Sequence, residues 1–264
     1  MNKPRLDELL VSRGLFPEPA QAMRAVLAGQ VESEKTVLTQ PGKRVDPALF
    51  LSVRPTKRYV SRGGLKLAYA LATFSLTPKE LRCIDIGAST GGFTDCLLQN
   101  GAAEVCAVDV GYGQFAWELR NDPRVNLFER TNIYAADPTR LGAPFDIAVV
   151  DVSFTRVGKL VRVLERLLGE NAHCVALIKP QFELPRSLVK NGVIVEQDLH
   201  AHALESVLEI LAQSSLAPRG LTHSPIKGQK GNIEFLLWVQ KGGIPDTILV
   251  YEIVTAAHEY FGRT

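Results

Sequence analysis

Two lysines and two carboxylates occupy positions where a charge is unexpected. Lys179 follows the apolar run CVALI, and Asp151 follows the apolar run in FDIAVV. Lysine is rarely buried without a partner, so a lysine at the end of a core strand calls for an acidic neighbour. Lys66 lies in a predicted helix, and Glu234 interrupts the apolar stretch GNIEFLLW. If these side chains converge on one cleft, they can orient a weak nucleophile and handle its proton.

Each of these four residues also has a purely structural interpretation. Asp151 and Lys179 could form a structural ion pair. Lys66 could be a solvated helix residue, and Glu234 could protect the edge of a sheet. The chemical interpretation is favoured because ligands of open parallel sheets bind at the carboxyl ends of the strands, where Asp151 and Lys179 are neighbours.

A glycine-rich turn follows the first predicted strand in IDIGASTGGFTDCLL. Gly87, Gly91 and Gly92 allow a ligand to approach the backbone, and a helix N-terminus favours an anionic group. The turn is not G-x-G-x-x-G, and no Walker lysine follows it. Asp109 ends the second strand, where a carboxylate can accept both hydroxyls of a ribose. A tight strand-to-helix connection, and a role of Asp109 as a helix cap or turn residue, remain the alternatives, but together the features favour a nucleoside ligand without pyrophosphate, and S-adenosylmethionine fits.

Strands and helices alternate from about residue 81 onward. The predicted strands are RCIDIGA, VCAVDVG, RVNLFER, FDIAVVDVSF and CVALIK. Helical stretches such as GKLVRVLERLL and DLHAHALESVLEILAQSS lie between the predicted strands. This alternation predicts a mainly parallel sheet covered by helices. RGLTHSPI and NIEFLLWVQ are joined by too short a loop for a parallel crossover and should pair antiparallel. The fold class is therefore α/β, resembling a Rossmann-like methyltransferase sheet with a terminal antiparallel hairpin.

The first segment has a different organisation. RLDELLVSRG and AQAMRAVLAGQ read as short helices that end at Gly14 and Gly29, and strand-like pieces follow them. RPTKR, about residues 54–58, resembles a polar linker. We therefore expect a small α+β domain over residues 1–58 and a larger domain over residues 59–264.

Charge and composition separate the same two parts. Residues 1–62 hold 11 Lys and Arg against 6 Asp and Glu, a net charge of +5, whereas residues 63–264 hold 19 against 22, a net charge of −3. A basic front segment suggests a binder of anionic ligands, or merely a solvated surface.

No stretch is long and apolar enough for a transmembrane helix, and MNKPRLDELLVSRG does not look like a signal peptide. Cysteines without metal-like spacing complete the expectation of a cytoplasmic protein with reduced core thiols and no metal site.

Several strings resemble one known family. YVSRGGLKL, DIGASTGGFTD, VDVSF, IKPQFE and KGNIEFL resemble the TlyA family, also called hemolysin A, across nearly the whole chain. The set Lys66, Asp151, Lys179 and Glu234 resembles the Lys-Asp-Lys-Glu tetrad of the FtsJ-type RNA ribose 2′-O-methyltransferases.

The resemblance implies S-adenosylmethionine-dependent 2′-O-methylation of cytidine in ribosomal RNA. Lys179 would hydrogen-bond the ribose hydroxyl, either as a base or as an orienting donor, and Asp151 and Glu234 would orient the lysines. Phe93 stands where FtsJ has a tryptophan beside the cofactor, and Asn132 stands where it has an aspartate near the adenine. The predicted cofactor-binding residues are Asp85, Gly87, Ser89, Gly91, Gly92, Phe93, Asp109 and Asn132.

The resemblance also implies an S-four-like RNA-binding domain at the N-terminus, with ribosomal RNA or ribosomal subunits as partner and no obligate protein partner. Family members usually carry Ser-Arg before the second helix, where this chain has Pro19-Ala20. The candidate phosphate contacts are Arg5, Arg13 and Arg24.

Three other functions compete with this expectation. A membrane-lytic hemolysin would need a spanning or strongly amphipathic segment, and the only candidate, DTILVYEIVTAAHEYF, reads as an ordinary packing helix. A non-catalytic ribosome-binding protein would not need an intact tetrad and cofactor turn. A small-molecule methyltransferase would not need a basic front domain.

Overall fold

The computed structural model describes residues 3–54 and 58–262, and the chain divides into two compact units, Met1–Lys57 and Arg58–Thr264. The predicted boundary at residue 58 lies next to this division. Residues 55–57 of the predicted linker lie outside the described residues.

The first unit consists of two helices and a small antiparallel sheet. Its elements are α1 (Leu6–Ser12), α2 (Pro19–Leu27), β1 (Val31–Ser33), β2 (Thr36–Val37) and β3 (Ser52–Val53). The sheet order is β2-β1-β3. Leu6, Leu10 and Val26 are fully buried in its core, as the helical spacing of the sequence predicts. Pro19 begins α2, where its missing N–H costs no hydrogen bond.

The second unit contains a seven-stranded sheet in the order β6-β5-β4-β7-β8-β10-β9. Strands β4 to β8 are parallel, whereas β10 lies antiparallel to both β8 and β9. The predicted fold class, with five parallel strands and a terminal antiparallel hairpin, is confirmed. The strands are β4 (Arg82–Ile86), β5 (Glu104–Val108), β6 (Val125–Phe128), β7 (Phe145–Val150), β8 (Leu168–Ile178), β9 (Leu216–His223) and β10 (Phe235–Lys241).

Helices cover both faces of this sheet. They are α3 (Gly63–Thr73), α4 (Gly92–Gln99), α5 (Trp117–Arg120), α6 (Pro138–Leu141), α7 (Val161–Leu167), α8 (Pro180–Glu183), α9 (Gln197–Leu211) and α10 (Val250–Gly262), and single 3-10 turns lie at Val157–Leu160, Arg186–Leu188 and Gln229–Gly231. Neighbouring strand residues alternate between two cores: Ile84 packs with α7, α9 and α10, whereas Cys83 packs with α3 and α4. All four cysteines are buried with free thiols.

Candidate active site

Three parallel strands end in polar residues at the same edge of the sheet. Asp109 follows β5, Asp151 follows β7 and Lys179 follows β8. These strands are joined through β4 in one parallel ladder, so their carboxyl ends lie side by side. The edge is therefore the one at which an open α/β sheet binds ligands.

Lys179 is held by two oxygen atoms from the loop after β7. Its Nζ lies 2.6 Å from Asp151 Oδ1 and donates a hydrogen bond to Ser153 Oγ at 2.9 Å. The Lys179 side chain is 12% exposed and that of Asp151 is 25% exposed, so the pair borders solvent. The ammonium group has three N–H donors and forms a hydrogen bond with Ser153, while its contact with Asp151 is an ion pair, so donor capacity remains for a substrate.

The second pair, Lys66 with Glu234, is more deeply buried. Lys66 Nζ donates a hydrogen bond to Glu234 Oε2, and the two side chains are 9% and 3% exposed. A buried ion pair of this kind stays charged only because each partner compensates the other.

The register of the sheet relates the two pairs. Phe235 in β10 lies opposite Ile178 in β8 as the last pair of this ladder. Glu234 directly precedes Phe235 and Lys179 directly follows Ile178, so both residues stand at the same end of the paired strands. The sequence analysis expected Glu234 inside a strand, whereas the strand begins one residue later, at Phe235. Its backbone carbonyl still accepts a hydrogen bond from Ser224 N–H at 2.8 Å, which continues the hairpin.

Close backbone contacts explain how α3 carries Lys66 to this edge. A Cβ atom at Gly64 would lie 2.3 Å from the ring of Tyr59, and a Cβ atom at Gly92 would lie 2.1 Å from Ser61 Oγ and 3.0 Å from the backbone N of Gly64. The beginnings of α3 and α4 can approach this closely only because both positions are glycine. The strings YVSRGGLKL and STGGF therefore form one packed contact that positions Lys66.

Asp85 is a fully buried carboxyl below the glycine-rich turn. Its Oδ2 accepts hydrogen bonds from the backbone N–H of Thr94 at 2.9 Å and from Thr94 Oγ1 at 2.7 Å. Its Oδ1 has no hydrogen-bond partner among the described residues. Burial raises the pKa of the Asp85 carboxyl to about 7, although the Thr94 hydrogen bonds act against this rise. One oxygen of this carboxyl thus remains available to a ligand.

The turn itself lies directly against Asp151. Gly87 has φ +87°, and a Cβ atom there would lie 2.6 Å from the backbone oxygen of Asp151. Asp151 N–H donates to Ile86 O at 3.0 Å. Gly91, the residue before α4, has φ +92°, a conformation that favours glycine. The predicted cofactor turn and the predicted catalytic aspartate are therefore parts of one contact.

Asp109 orders the other side of the turn. Its Oδ2 accepts a hydrogen bond from Ser89 N–H at 2.7 Å, and its Oδ1 accepts one from Gly111 N–H at 2.6 Å. An ionised carboxylate has about four acceptor positions, so each oxygen keeps capacity for a ribose hydroxyl. No helix begins at Asp109, so it is not a helix cap. The other alternative, a turn residue, is present, because the Asp109 carboxylate accepts the N–H of Gly111 two residues further on.

Phe93 and Asn132, which the family resemblance places beside the cofactor, have different surroundings. Phe93 lies in α4, is 3% exposed, and has its ring next to Gly63 at the start of α3. Asn132 is exposed four residues after β6, and its Oδ1 accepts a hydrogen bond from Tyr134 N–H at 3.0 Å. Phe93 is thus a buried side chain packed against the start of α3, whereas Asn132 belongs to a surface turn.

Sequence reasoning missed two residues in the loop after β7. Ser153 supplies the second oxygen to Lys179. Phe154 is 90% exposed, has φ +63°, and its ring lies 5.1 Å from that of Phe182. An exposed aromatic ring beside a polar cleft is a surface on which a nucleobase can stack. The string DVSF directly after a core strand contains the signal for both residues.

The three candidate arginines of the first unit differ in their contacts. Arg5 makes two hydrogen bonds to the carboxylate of Asp7, at 3.0 and 2.7 Å. Arg13 donates to the carbonyl oxygens of Leu49, at 2.6 Å, and Pro47. Arg24 is exposed in the last turn of α2 and forms no ion pair within the described part of the chain. Of the three, Arg24 has the side chain most available to a phosphate group.

Residues 3–54 and 58–262 contain no cluster of three or more His, Cys, Asp or Glu side chains that could hold a metal ion. In the same residues no helix has the length and apolar character needed to cross a membrane.

The chain is similar in sequence and in fold to known proteins. The model of the family described as FtsJ-like methyltransferase matches residues 59–241. The Mycobacterium tuberculosis protein named 16S/23S rRNA (cytidine-2′-O)-methyltransferase TlyA is 39% identical over 241 residues, which cover 90% of each chain. A Bacillus subtilis protein, YqxC, named as a candidate rRNA methyltransferase, is 46% identical over 264 residues, covering 97% of this chain and 94% of that protein. A solved Streptococcus thermophilus structure, named as a candidate hemolysin, has a TM-score of 0.76 and 41% identity, covering 100% of this chain and 98% of that one.

Proposed function

Because the chain belongs to the FtsJ-like methyltransferase family, we propose that it transfers a methyl group from S-adenosylmethionine to the 2′-hydroxyl of a cytidine ribose in ribosomal RNA. The observation that carries this proposal is the presence of two lysine–carboxylate pairs, Lys179–Asp151 after the ends of β8 and β7 and the buried Lys66–Glu234 directly before β10, the strand that pairs with β8. The activity named for the TlyA relative supports the choice of ribosomal RNA and of cytidine.

The residues of the turn fit S-adenosylmethionine. Asp85 offers a buried oxygen without a partner, and Asp109 offers acceptor capacity for two ribose hydroxyls. Gly87 lets the turn pass close to the backbone of Asp151, because a Cβ atom there would lie 2.6 Å from the Asp151 carbonyl oxygen. Ser89 lies in the same turn, and Gly92 is the first residue of α4. When bound, the cofactor supplies an electrophilic methyl carbon.

The lysine at the sheet edge is the group that handles the substrate hydroxyl. The 2′-hydroxyl is a weak acid and a weak nucleophile, so its orientation and the fate of its proton decide the rate. Lys179 directs an N–H donor at the hydroxyl oxygen, while Ser153 Oγ accepts another of its N–H bonds and the carboxylate of Asp151 lies beside its ammonium group. As the methyl group is transferred, the proton of the hydroxyl passes to solvent water, which borders this pair.

The buried pair has a positioning role. Lys66 and Glu234 compensate each other inside the protein, and Glu234 directly precedes β10, whose first residue pairs with the last residue of β8. The buried pair thus joins α3 to the end of β10 that lies beside the strand leading to Lys179. Gly228 supports this arrangement, since a Cβ atom there would lie 2.0 Å from Glu234 Oε1.

The first unit is the proposed S-four-like RNA-binding domain. Residues 1–57 carry a net charge of +3 whereas residues 58–264 carry −1, and the exposed Arg24 of the first unit is suited to contact a phosphate. The partner would be ribosomal RNA within a ribosomal subunit, and the protein would act in the cytoplasm. A lytic function has less support, because the only candidate helix, α10, packs Val250, Val254 and Ala257 into the core.

Transfer of a radiolabelled methyl group to ribosomal subunits tests the proposal, with the modified nucleotide mapped afterwards. We expect Lys179→Ala to lower turnover by about 100- to 10,000-fold while binding of S-adenosylmethionine is retained. Lys79→Ala is the matched control, since Lys79 is a surface lysine of the same unit whose side chain is 72% exposed. Near-normal turnover by Lys179→Ala, or label on a base instead of a ribose, would contradict the proposal.

A further inference from the structure

A groove lies between α9 and the beginning of α10, outside the site described above. Its volume is about 570 Å³, and apolar side chains including Leu208, Leu249 and Tyr251 line it. Leu249 is 53% exposed and Tyr251 is 56% exposed. Large apolar side chains grouped around a concave surface are typical of an interaction site rather than of a solvated face.

The rim of the groove is acidic. Glu205, Glu209 and Glu252 line it, and none of its eight described lining residues is a lysine or an arginine. None of the three glutamates forms an ion pair with a cation of the described chain. Glu205 and Glu209 are four residues apart on α9, a spacing at which like charges destabilise a helix by a few tenths of a kcal/mol. A cationic partner would relieve this repulsion.

The two helices that form the groove are also joined outside it. His200 on α9 is fully buried, and its Nδ1 lies 2.9 Å from His258 Nε2 on α10. Burial lowers the pKa of His200 to about 4 and also lowers that of His258. Neither histidine lines the groove.

We propose that this groove docks a cationic segment of a ribosomal protein, with one apolar side chain in the groove and Lys or Arg side chains on its acidic rim. The inference rests on the proposed function, since it takes the substrate to be RNA inside a ribosomal subunit. The three carboxylates repel RNA phosphates, which excludes RNA as the occupant. Proteins bound to ribosomal RNA carry Lys and Arg segments that neutralise phosphates, and such segments complement the rim. The groove thereby adds a protein contact to the RNA contacts of the basic first unit.

Reversing the charge of the groove glutamates distinguishes a docked cationic segment from a general attraction between the protein and RNA phosphates. In an RNA-binding protein, replacing acidic residues by lysine should tighten binding to ribosomal subunits, because the added positive charge attracts phosphates. If the groove holds a cationic protein segment, Glu209→Lys combined with Glu252→Lys should instead weaken binding by about tenfold at low salt. The matched control combines Glu80→Lys with Glu118→Lys, which makes the same change of net charge at exposed positions outside the groove. Affinity of the full chain for purified ribosomal subunits is the quantity measured.

A photo-crosslinking residue in place of Tyr251 identifies the occupant. We expect a crosslink to a Lys- and Arg-rich segment of a ribosomal protein, and its loss when Glu209 and Glu252 are replaced by lysine. A crosslink to ribosomal RNA or to a second copy of the chain, or an affinity that rises as in the control, overturns the inference. Methyl transfer is measured on the same samples. If the wild-type chain methylates subunits and the groove substitutions change neither affinity nor crosslinking, only the proposed docking site is refuted. If the wild-type chain transfers no methyl group, the proposed function is refuted.

Discussion

The buried pair of Lys66 and Glu234 predicts a stability effect that is separate from catalysis. We consider Glu234→Gln and Lys66→Met, which remove one charge each with little change in volume, and the double variant. Since the side chains are 9% and 3% exposed, either single change leaves one charge buried without its partner. Removing one partner of a buried pair costs about 3 kcal/mol or more, whereas replacing both charges is often close to neutral. We therefore expect the double variant to be less destabilised than the sum of the single variants by about 2–3 kcal/mol.

Urea unfolding followed by tryptophan fluorescence measures this coupling directly. Both tryptophans of the chain, Trp117 and Trp238, lie in the second unit, and Trp238 is in β10, the strand that Glu234 precedes. The fluorescence change therefore reports the unfolding of the unit that contains the pair. The free energy of unfolding is obtained from the midpoint and slope of each transition.

A surface pair supplies the matched control. Lys79 and Glu80 lie 3.8 Å apart with side chains that are 72% and 84% exposed. The same substitutions there, Lys79→Met and Glu80→Gln, should show a coupling below about 0.5 kcal/mol, because water and salt screen an exposed pair. Equal coupling in the two cycles, or additive effects of the Lys66 and Glu234 changes, would refute the reasoning that the tetrad contains a mutually dependent buried pair.

Three further predictions concern the cofactor, the RNA and pH. Asp109→Ala should weaken binding of S-adenosylmethionine by roughly 1.5–3 kcal/mol in calorimetry, because a charged acceptor is lost; unchanged affinity would count against the ribose contact. Arg24→Ala should reduce the slope of log RNA affinity against log salt by about 0.7–0.9. Arg13→Ala should mainly lower stability, because Arg13 donates to two backbone carbonyls; equal slopes for both variants would argue against Arg24 as a phosphate contact. Burial raises the pKa of Glu183 to about 7 from 4.5, so its stabilising contribution is complete below pH 4.5 and is lost as the pH rises through about 7. Glu183→Gln keeps an acceptor for Val157 N–H and should gain up to about 3 kcal/mol relative to wild type above pH 7; identical pH profiles in urea unfolding would contradict this assignment.

Local patterns in the sequence were sufficient for the architecture of the second unit. Nearly continuous apolar runs such as those in RCIDIGA and FDIAVV predict strands buried on both faces, because each residue of a central parallel strand packs against one helical layer or the other. The helix predicted around Lys66 is confirmed as α3, and the antiparallel hairpin is confirmed as β9 and β10. Side chains that directly follow a strand, such as Asp151 and Lys179, could be assigned to one edge because parallel strands end together.

Contacts between distant segments could not be obtained in this way. Lys66 and Glu234 are 168 residues apart in the chain, and their pairing depends on the register of β10 against β8 and on the glycine contacts that bring α3 close to α4. Ser153 holds Lys179 only because the loop after β7 folds back over the end of β8. Sequence also offers no reason to separate Arg13 from Arg24, yet one is bonded to backbone carbonyls and the other is exposed. Periodicity and chain order act over a few residues, so the amino-acid sequence alone determined the elements and their charged ends. The partners of those charges are chosen by packing over the whole unit, which only the tertiary structure decided.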